Sequence, residues 1–163
     1  MRRIILALVA AIVVCACSSI DCPVQNAVYT NYALYKSNGE VDTLRDTLSV
    51  LTPTASGRDT LVFNRGVGLT SFSLPISYVN PCDTFYFGLK PQGDNTEWII
   101  DRVLVNKTNT PRFESVDCQV AYFHTITSVE TSHFFIDSIV INNPKVDYDT
   151  ERKHFRIYLS PRQ

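Results

Sequence analysis

The sequence predicts an all-β protein, an antiparallel β-sandwich (Ig-like or related) or a partly open barrel of about 8–10 strands. Three observations carry this expectation. Apolar and β-branched residues recur in short alternating runs, clusters of Gly, Pro, Asn and Asp separate those runs, and no window holds a helical period.

The first strand is Val28 to Lys36, with Val28, Thr30, Tyr32 and Leu34 on one face. Ser37-Asn38-Gly39 follows as a turn that accepts positive φ. Val41 to Leu44 and Thr47 to Thr52 are the next extended pieces, Pro53 to Arg58 is a loop, and Thr60 to Asn64 returns. Leu69 to Leu74 alternates in polarity, and Pro75 behind it limits inward pairing. Thr84 to Lys90 and Trp98 to Asn106 flank the turn cluster Pro91-Gln92-Gly93-Asp94-Asn95. Gln119 to Ser128 and His133 to Ile141 read as a hairpin joined by Val129 to Ser132. Asn142-Asn143-Pro144 ends that strand, and Lys153 to Leu159 is the last.

Ahead of these strands the chain reads as an export signal. Arg2-Arg3 precedes the apolar run Ile4 to Val14, which is too short for a bilayer core needing about 20 residues but suits a cleaved h-region. Val14-Cys15-Ala16 then sits before Cys17, the expected lipidated first residue of the mature protein. The expected organisation is a lipoprotein signal peptide over 1–16, a lipidated tether over 17–26 and one β-sandwich domain over 27–163. The membrane is thus the first expected partner, reached through the lipid on Cys17. Ser18 lacks the acidic character of an inner-membrane retention signal, and Ser18-Ser19-Ile20-Asp21 holds a single acid. That favours the periplasmic face of the outer membrane over the cell surface.

Removing residues 1–16 from 163 leaves 147, enough for one cored domain. Loss of Arg2 and Arg3 leaves 13 Lys+Arg against 16 Asp+Glu, a net charge of −3. A chain of that balance has no electrostatic footprint for nucleic acid and no polybasic membrane patch. Of five cysteines, Cys15 leaves with the signal and Cys17 takes the lipid, so Cys22, Cys82 and Cys118 remain for one disulfide and one odd thiol. Cys22–Cys118 is favoured, since each cysteine follows an Asp at the edge of a strand-like run; Cys22–Cys82 and Cys82–Cys118 stay open.

The triplet Asp-Thr/Ser-apolar recurs at Asp42-Thr43-Leu44, Asp46-Thr47-Leu48, Asp59-Thr60-Leu61, Asp83-Thr84-Phe85 and Asp137-Ser138-Ile139. Asp closing an Asx-type turn before a strand explains it. The triplets also resemble the O-glycosylation sequon of exported Bacteroidetes proteins, which makes Thr43, Thr47, Thr60 and Ser138 candidate acceptors.

Catalytic motifs are sparse. There is no Gly-rich phosphate loop, no Gly-x-Ser-x-Gly elbow and no His-Glu-x-x-His pair. Neither a cofactor nor a dedicated metal site is expected. One speculative polar cluster is worth testing: in the hairpin register that sets Ser128 opposite His133, His124 faces Asp137, with His154 joining from the last strand. Asp147 and Asp149 form a weaker calcium candidate. Tyr29, Tyr32, Tyr35, Tyr86, Trp98, Tyr122, Phe134 and Phe135 either pack or include a sugar-stacking platform.

Four blocks carry a family resemblance: Asp21-Cys22-Pro23-Val24-Gln25-Asn26, Phe72-Ser73-Leu74-Pro75-Ile76-Ser77-Tyr78, Phe113-Glu114-Ser115-Val116-Asp117-Cys118 and Ile136-Asp137-Ser138-Ile139. With them the mature chain resembles, nearly end to end, a family of small, uncharacterised Bacteroidetes envelope lipoproteins carrying a domain of unknown function. The resemblance implies an envelope lipoprotein, supports Cys22–Cys118 as the disulfide and leaves Cys82 as the free thiol. It brings no activity, and points to outer-membrane β-barrel proteins as partners. The expected function is a non-enzymatic accessory, scaffold or binding subunit of an outer-membrane complex. A carbohydrate-binding or adhesin-like surface module is the alternative, and a metal-dependent enzyme using the His–Asp cluster is the third.

Overall fold

The computed structural model describes residues 22, 27–93 and 95–161, so the expected signal peptide, Cys17 and most of the tether lie outside the described residues. Ten strands and no helix are found among the described residues. They are β1 (Tyr29–Tyr35), β2 (Thr47–Pro53), β3 (Asp59–Gly66), β4 (Ser71–Pro75) and β5 (Cys82–Lys90), followed by β6 (Ile99–Arg112), β7 (Ala121–Thr131), β8 (Ile136–Ile141), β9 (Lys145–Val146) and β10 (Phe155–Leu159).

They form a sandwich rather than a closed barrel: one sheet has the order β4-β1-β10-β8, the other β3-β2-β5-β6-β7-β9. Neighbours pair antiparallel except β1 and β10, which run parallel from Tyr32↔Phe155 to Tyr35↔Tyr158. Pro75 sits at the end of edge strand β4, where its missing N–H costs no ladder bond.

Alternation builds the core. Phe85, Phe87 and Leu89 on β5, with Val103 and Val105 on β6, point inward against Tyr32, Leu34, Phe155 and Ile157 of the smaller sheet. Tyr32 is the hub: its ring stacks on Phe155 at 4.7 Å and Phe72 at 5.2 Å and meets Phe87 edge-on at 5.8 Å. Its phenol is fully buried, and burial raises its pKa.

The expected β7–β8 hairpin is not formed. β6 continues past Asn106 to Arg112, and β7 runs on through Val129 to Thr131 beside it, from Val103↔Thr131 to Arg112↔Ala121. The chain then crosses to the other sheet, where β8 pairs with β10. Asp101 is the physical reason. Its fully buried carboxylate accepts hydrogen bonds from the backbone N–H of Phe134, Phe135 and Ile136 and from the Ser132 hydroxyl, each at 2.8 Å. Three consecutive N–H groups aimed at one carboxylate wrap the backbone around it, with His133 in the left-handed region at φ 61°. That turn replaces a tight hairpin by a crossover.

Candidate functional site

The three histidines do not converge. His124 lies on β7 opposite Asn109 of β6 and Val146 of β9, while Asp137 lies on β8 in the other sheet; the predicted His124–Asp137 pair is therefore absent. The Asn109 side-chain amide donates to the carbonyls of Tyr78 and Asn80, so its oxygen faces His124 Nδ1 at 2.8 Å and accepts that proton. Burial first, and then the Lys107 charge, push the imidazole down to about 4, so it is neutral at pH 7. His133 is exposed and donates from Nδ1 to the Asp137 carbonyl at 2.8 Å.

His154 is fully buried, just ahead of β10. Its Nδ1 accepts from the Asn31 N–H at 2.9 Å and its Nε2 donates to the Lys145 carbonyl at 3.0 Å, which fixes one neutral tautomer. Burial again leads in lowering its pKa. Asn31 completes this clasp: its side chain donates to the carbonyls of Thr150 and Arg152 and accepts from the Ser73 hydroxyl. The ring holds the 145–154 turn against β1, and both nitrogens are committed to that task.

The calcium candidate is filled by a cation of the chain itself. Arg152 donates to Asp147 at 2.7 Å and to Asp149 at 3.0 Å, while each carboxylate also caps a backbone N–H two residues on. Among the described residues no group of three or more His, Cys, Asp and Glu is arranged to hold a metal ion.

At one end of the sandwich lies a buried ion pair that sequence reading missed. Lys107 Nζ meets Asp83 at 2.8 Å and donates to the Asn80 carbonyl at 2.6 Å, and Asp83 accepts from the Ser77 N–H. Desolvation dominates at Asp83 and raises its pKa despite the lysine. The pair pins the 76–81 loop onto β6, and Tyr78 of that loop stacks on Tyr122 at 5.3 Å. A signal was present in the sequence: positions 101, 103, 105 and 107 share one face, which sets Asp101 and Lys107 at the two ends of an apolar strip.

The Asp-Thr/Ser triplets also part company. Asp42 accepts from the N–H of the adjacent Thr43 rather than two residues on as in an Asx turn, buried Asp46 accepts from the distant Gln92 N–H, and Asp83 joins Lys107. Of the candidate acceptors, Thr43 and Thr60 are exposed, while Thr47 and Ser138 are half-buried.

The outer face of the larger sheet carries an apolar groove of about 350 Å³, lined by Leu51, Leu61, Tyr86, Trp98 and Ile100 with Asn64 at its side. The register explains it: Leu61, Leu51 and Tyr86 are lateral neighbours across β3, β2 and β5, and Gly88 faces Ile100 across β5 and β6. The Trp98 indole lies on the backbone of Gly88, where an added Cβ would stand 3.2 Å from Cε3. Trp98 keeps 43% of its surface exposed and Ile100 53%, so the groove is open to solvent. The remaining candidate aromatics divide between core packing (Tyr32, Phe135) and other surface positions (Tyr29, Tyr35, Tyr122, Phe134).

Cys22 and Cys118 form the expected disulfide, and Cys82 is free among the described cysteines. Phe113 and Val116 project from the loop that holds Cys118, 71% and 98% exposed.

The model of a family of unknown function, DUF6452, matches residues 47–159, well over half of the chain. The chain belongs to that family. No curated protein and no solved structure matches it. The DUF6452 segment runs from β2 to β10 and so contains Asp101, the Asp83–Lys107 pair and every residue of the Trp98 groove. Strand β1 and Cys22 precede it, although both are tied to it, by the β1–β10 ladder and the disulfide.

Proposed function

We propose that this DUF6452 protein is a non-enzymatic binding or accessory subunit of the cell envelope. In this reading it is exported, acylated on Cys17 and held at the periplasmic face of an outer membrane beside a β-barrel partner. The observation that carries it is a division of labour. His124, His154, Asp101, Asp83 and Lys107 are spent on holding the fold, while the surface offers an open apolar groove around Trp98. Tethering raises the effective concentration of such a groove for any membrane-bound partner.

Crosslinking in native membranes, followed by purification of the wild type and of Trp98→Ser, tests this. A defined envelope partner lost in the variant is the expected result; recovery of monomer alone from both refutes it. Intact mass of the same material reads the diacylglycerol on Cys17 and any glycan on Thr43, Thr47, Thr60 or Ser138.

A second reading, a carbohydrate-binding surface module, is favoured by one observation: Trp98 and Tyr86 line the same open groove, as a sugar-stacking platform requires. Titration with neutral oligosaccharides, followed by Trp98 emission, separates the two. A saturable change selects the sugar reading, and a flat titration removes it.

A further inference from the structure

We infer that the end of the sandwich carrying Phe113, Val116, Tyr78 and Val79 sits on the phospholipid surface itself, so that the Trp98 groove is turned away from the membrane. The inference rests on the proposed acylation of Cys17. The disulfide fixes Cys22 to Cys118 with their Cα atoms 5.5 Å apart, and residues 17 to 22, fully extended, reach about 17 Å at most. With the 5.5 Å across the disulfide added, Cys118, in the loop from Phe113 to Gln119, stays within about 23 Å of the anchored residue.

That loop has the chemistry for contact. Phe113 and Val116 are largely free of protein neighbours, and Val116 is the most exposed large apolar residue described. Tyr78 and Val79, 62% and 70% exposed, stand beside it, held there by the Tyr78–Tyr122 stack and by Asn109, which donates to the Tyr78 carbonyl. Arg112 and Glu114 neutralise one another at 3.2 Å, which leaves the exposed Asp117 as the one further charge of the loop. An amphipathic tyrosine beside aliphatic and phenyl groups suits the membrane–water boundary.

Strand β6 sets the orientation. It runs 14 residues from Ile99, next to Trp98, to Arg112, next to Phe113. At about 3.3 Å per residue the two ends stand roughly 40 Å apart.

The test uses the acylated full mature chain in phosphatidylethanolamine–phosphatidylglycerol vesicles with brominated acyl chains. Trp98→Phe removes the native indole, and a single tryptophan is then placed by Val116→Trp or, at the far end of β6, by Phe134→Trp; both positions are exposed, so folding is not at stake. The expected result is loss of most emission with a blue shift for Val116→Trp and unquenched emission for Phe134→Trp. Equal emission from both, with acylation verified by mass, overturns the seating and leaves the anchor standing. A mass without the lipid removes the anchor and the seating together.

Discussion

Replacing Asp101 by Ala is the sharpest perturbation the fold offers. The carboxylate accepts four hydrogen bonds, two of them from the fully enclosed N–H groups of Phe135 and Ile136. Ser132 and Phe134 are exposed, so water can replace the carboxylate for their groups. The buried pair has no such substitute, and each orphaned donor costs about 1–3 kcal/mol, or roughly 2–6 kcal/mol together. A domain of this size has only about 5–15 kcal/mol of net stability, so a large share is at stake. Asp101→Asn keeps one carbonyl oxygen but turns amide hydrogens toward the remaining donors, and should fall between Ala and wild type. Urea unfolding at pH 7, followed by Trp98 emission and extrapolated linearly, reads the loss; with m of about 2 kcal/mol/M the midpoint falls by about 1–3 M. A loss below about 1 kcal/mol for the Ala variant would mean that the crossover is held by something other than this carboxylate. Burial alone would raise the carboxyl's pKa, but the N–H donors and the Ser132 hydroxyl outweigh it and hold it below the ordinary value. Its contribution is thus complete at neutral pH and fades as pH falls below about 4.

Three further outcomes follow from the same geometry. His124 and His154 are held neutral, with pKa values below the ordinary 6.5, so the unfolded chain binds protons first as pH falls. Stability is then full above that value and declines between 6.5 and about 4, and a His124→Gln variant should show a flatter decline in pH-dependent urea melts. Breaking the disulfide by Cys22→Ala opens a loop with a sequence separation of 96, which the chain-entropy model places near 4–5 kcal/mol; an unchanged urea midpoint contradicts that. Gly88→Val lifts the Trp98 indole off the sheet, and its emission maximum moves to the red with little change in stability; an unmoved maximum would show that the indole does not rest there.

Strand positions were legible because burial follows alternation, as in Phe85, Phe87 and Leu89 on β5 or Val103 and Val105 on β6. What lay hidden was partnership across distance. Val129 to Ser132, between two apolar runs, looks like a hairpin loop until an acid more than thirty residues earlier claims the N–H groups of Phe134, Phe135 and Ile136 just beyond it. His124 was placed correctly on a strand, but its facing residue depended on that loop, so the Asp137 pairing failed with it. The groove was half legible: Trp98 and Tyr86 were visible as aromatics, but the seat of Trp98 on Gly88, in the groove that Tyr86 also lines, needed the β5–β6 register. The Asp83–Lys107 pair was missed because an acid before Thr resembles a turn cap when only neighbours in sequence are considered.

The parallel pairing of β1 and β10 has a consequence for how the protein comes into being. β10 fills the slot between β1 and β8, and β8 has no other partner in its sheet among the described residues. Until residues 155–159 arrive, the smaller sheet is split, with β1 bare on one edge and β8 unattached. A chain threaded outward from its N-terminus would thus have its first strand waiting for its last. Pairings of such long range close slowly, and open edges invite association with other chains in the interval. An export pathway that delivered this protein would have to shield a half-built sheet until the final strand had passed through, and a chain stopped short of Phe155 would keep only the β4–β1 pair of the smaller sheet.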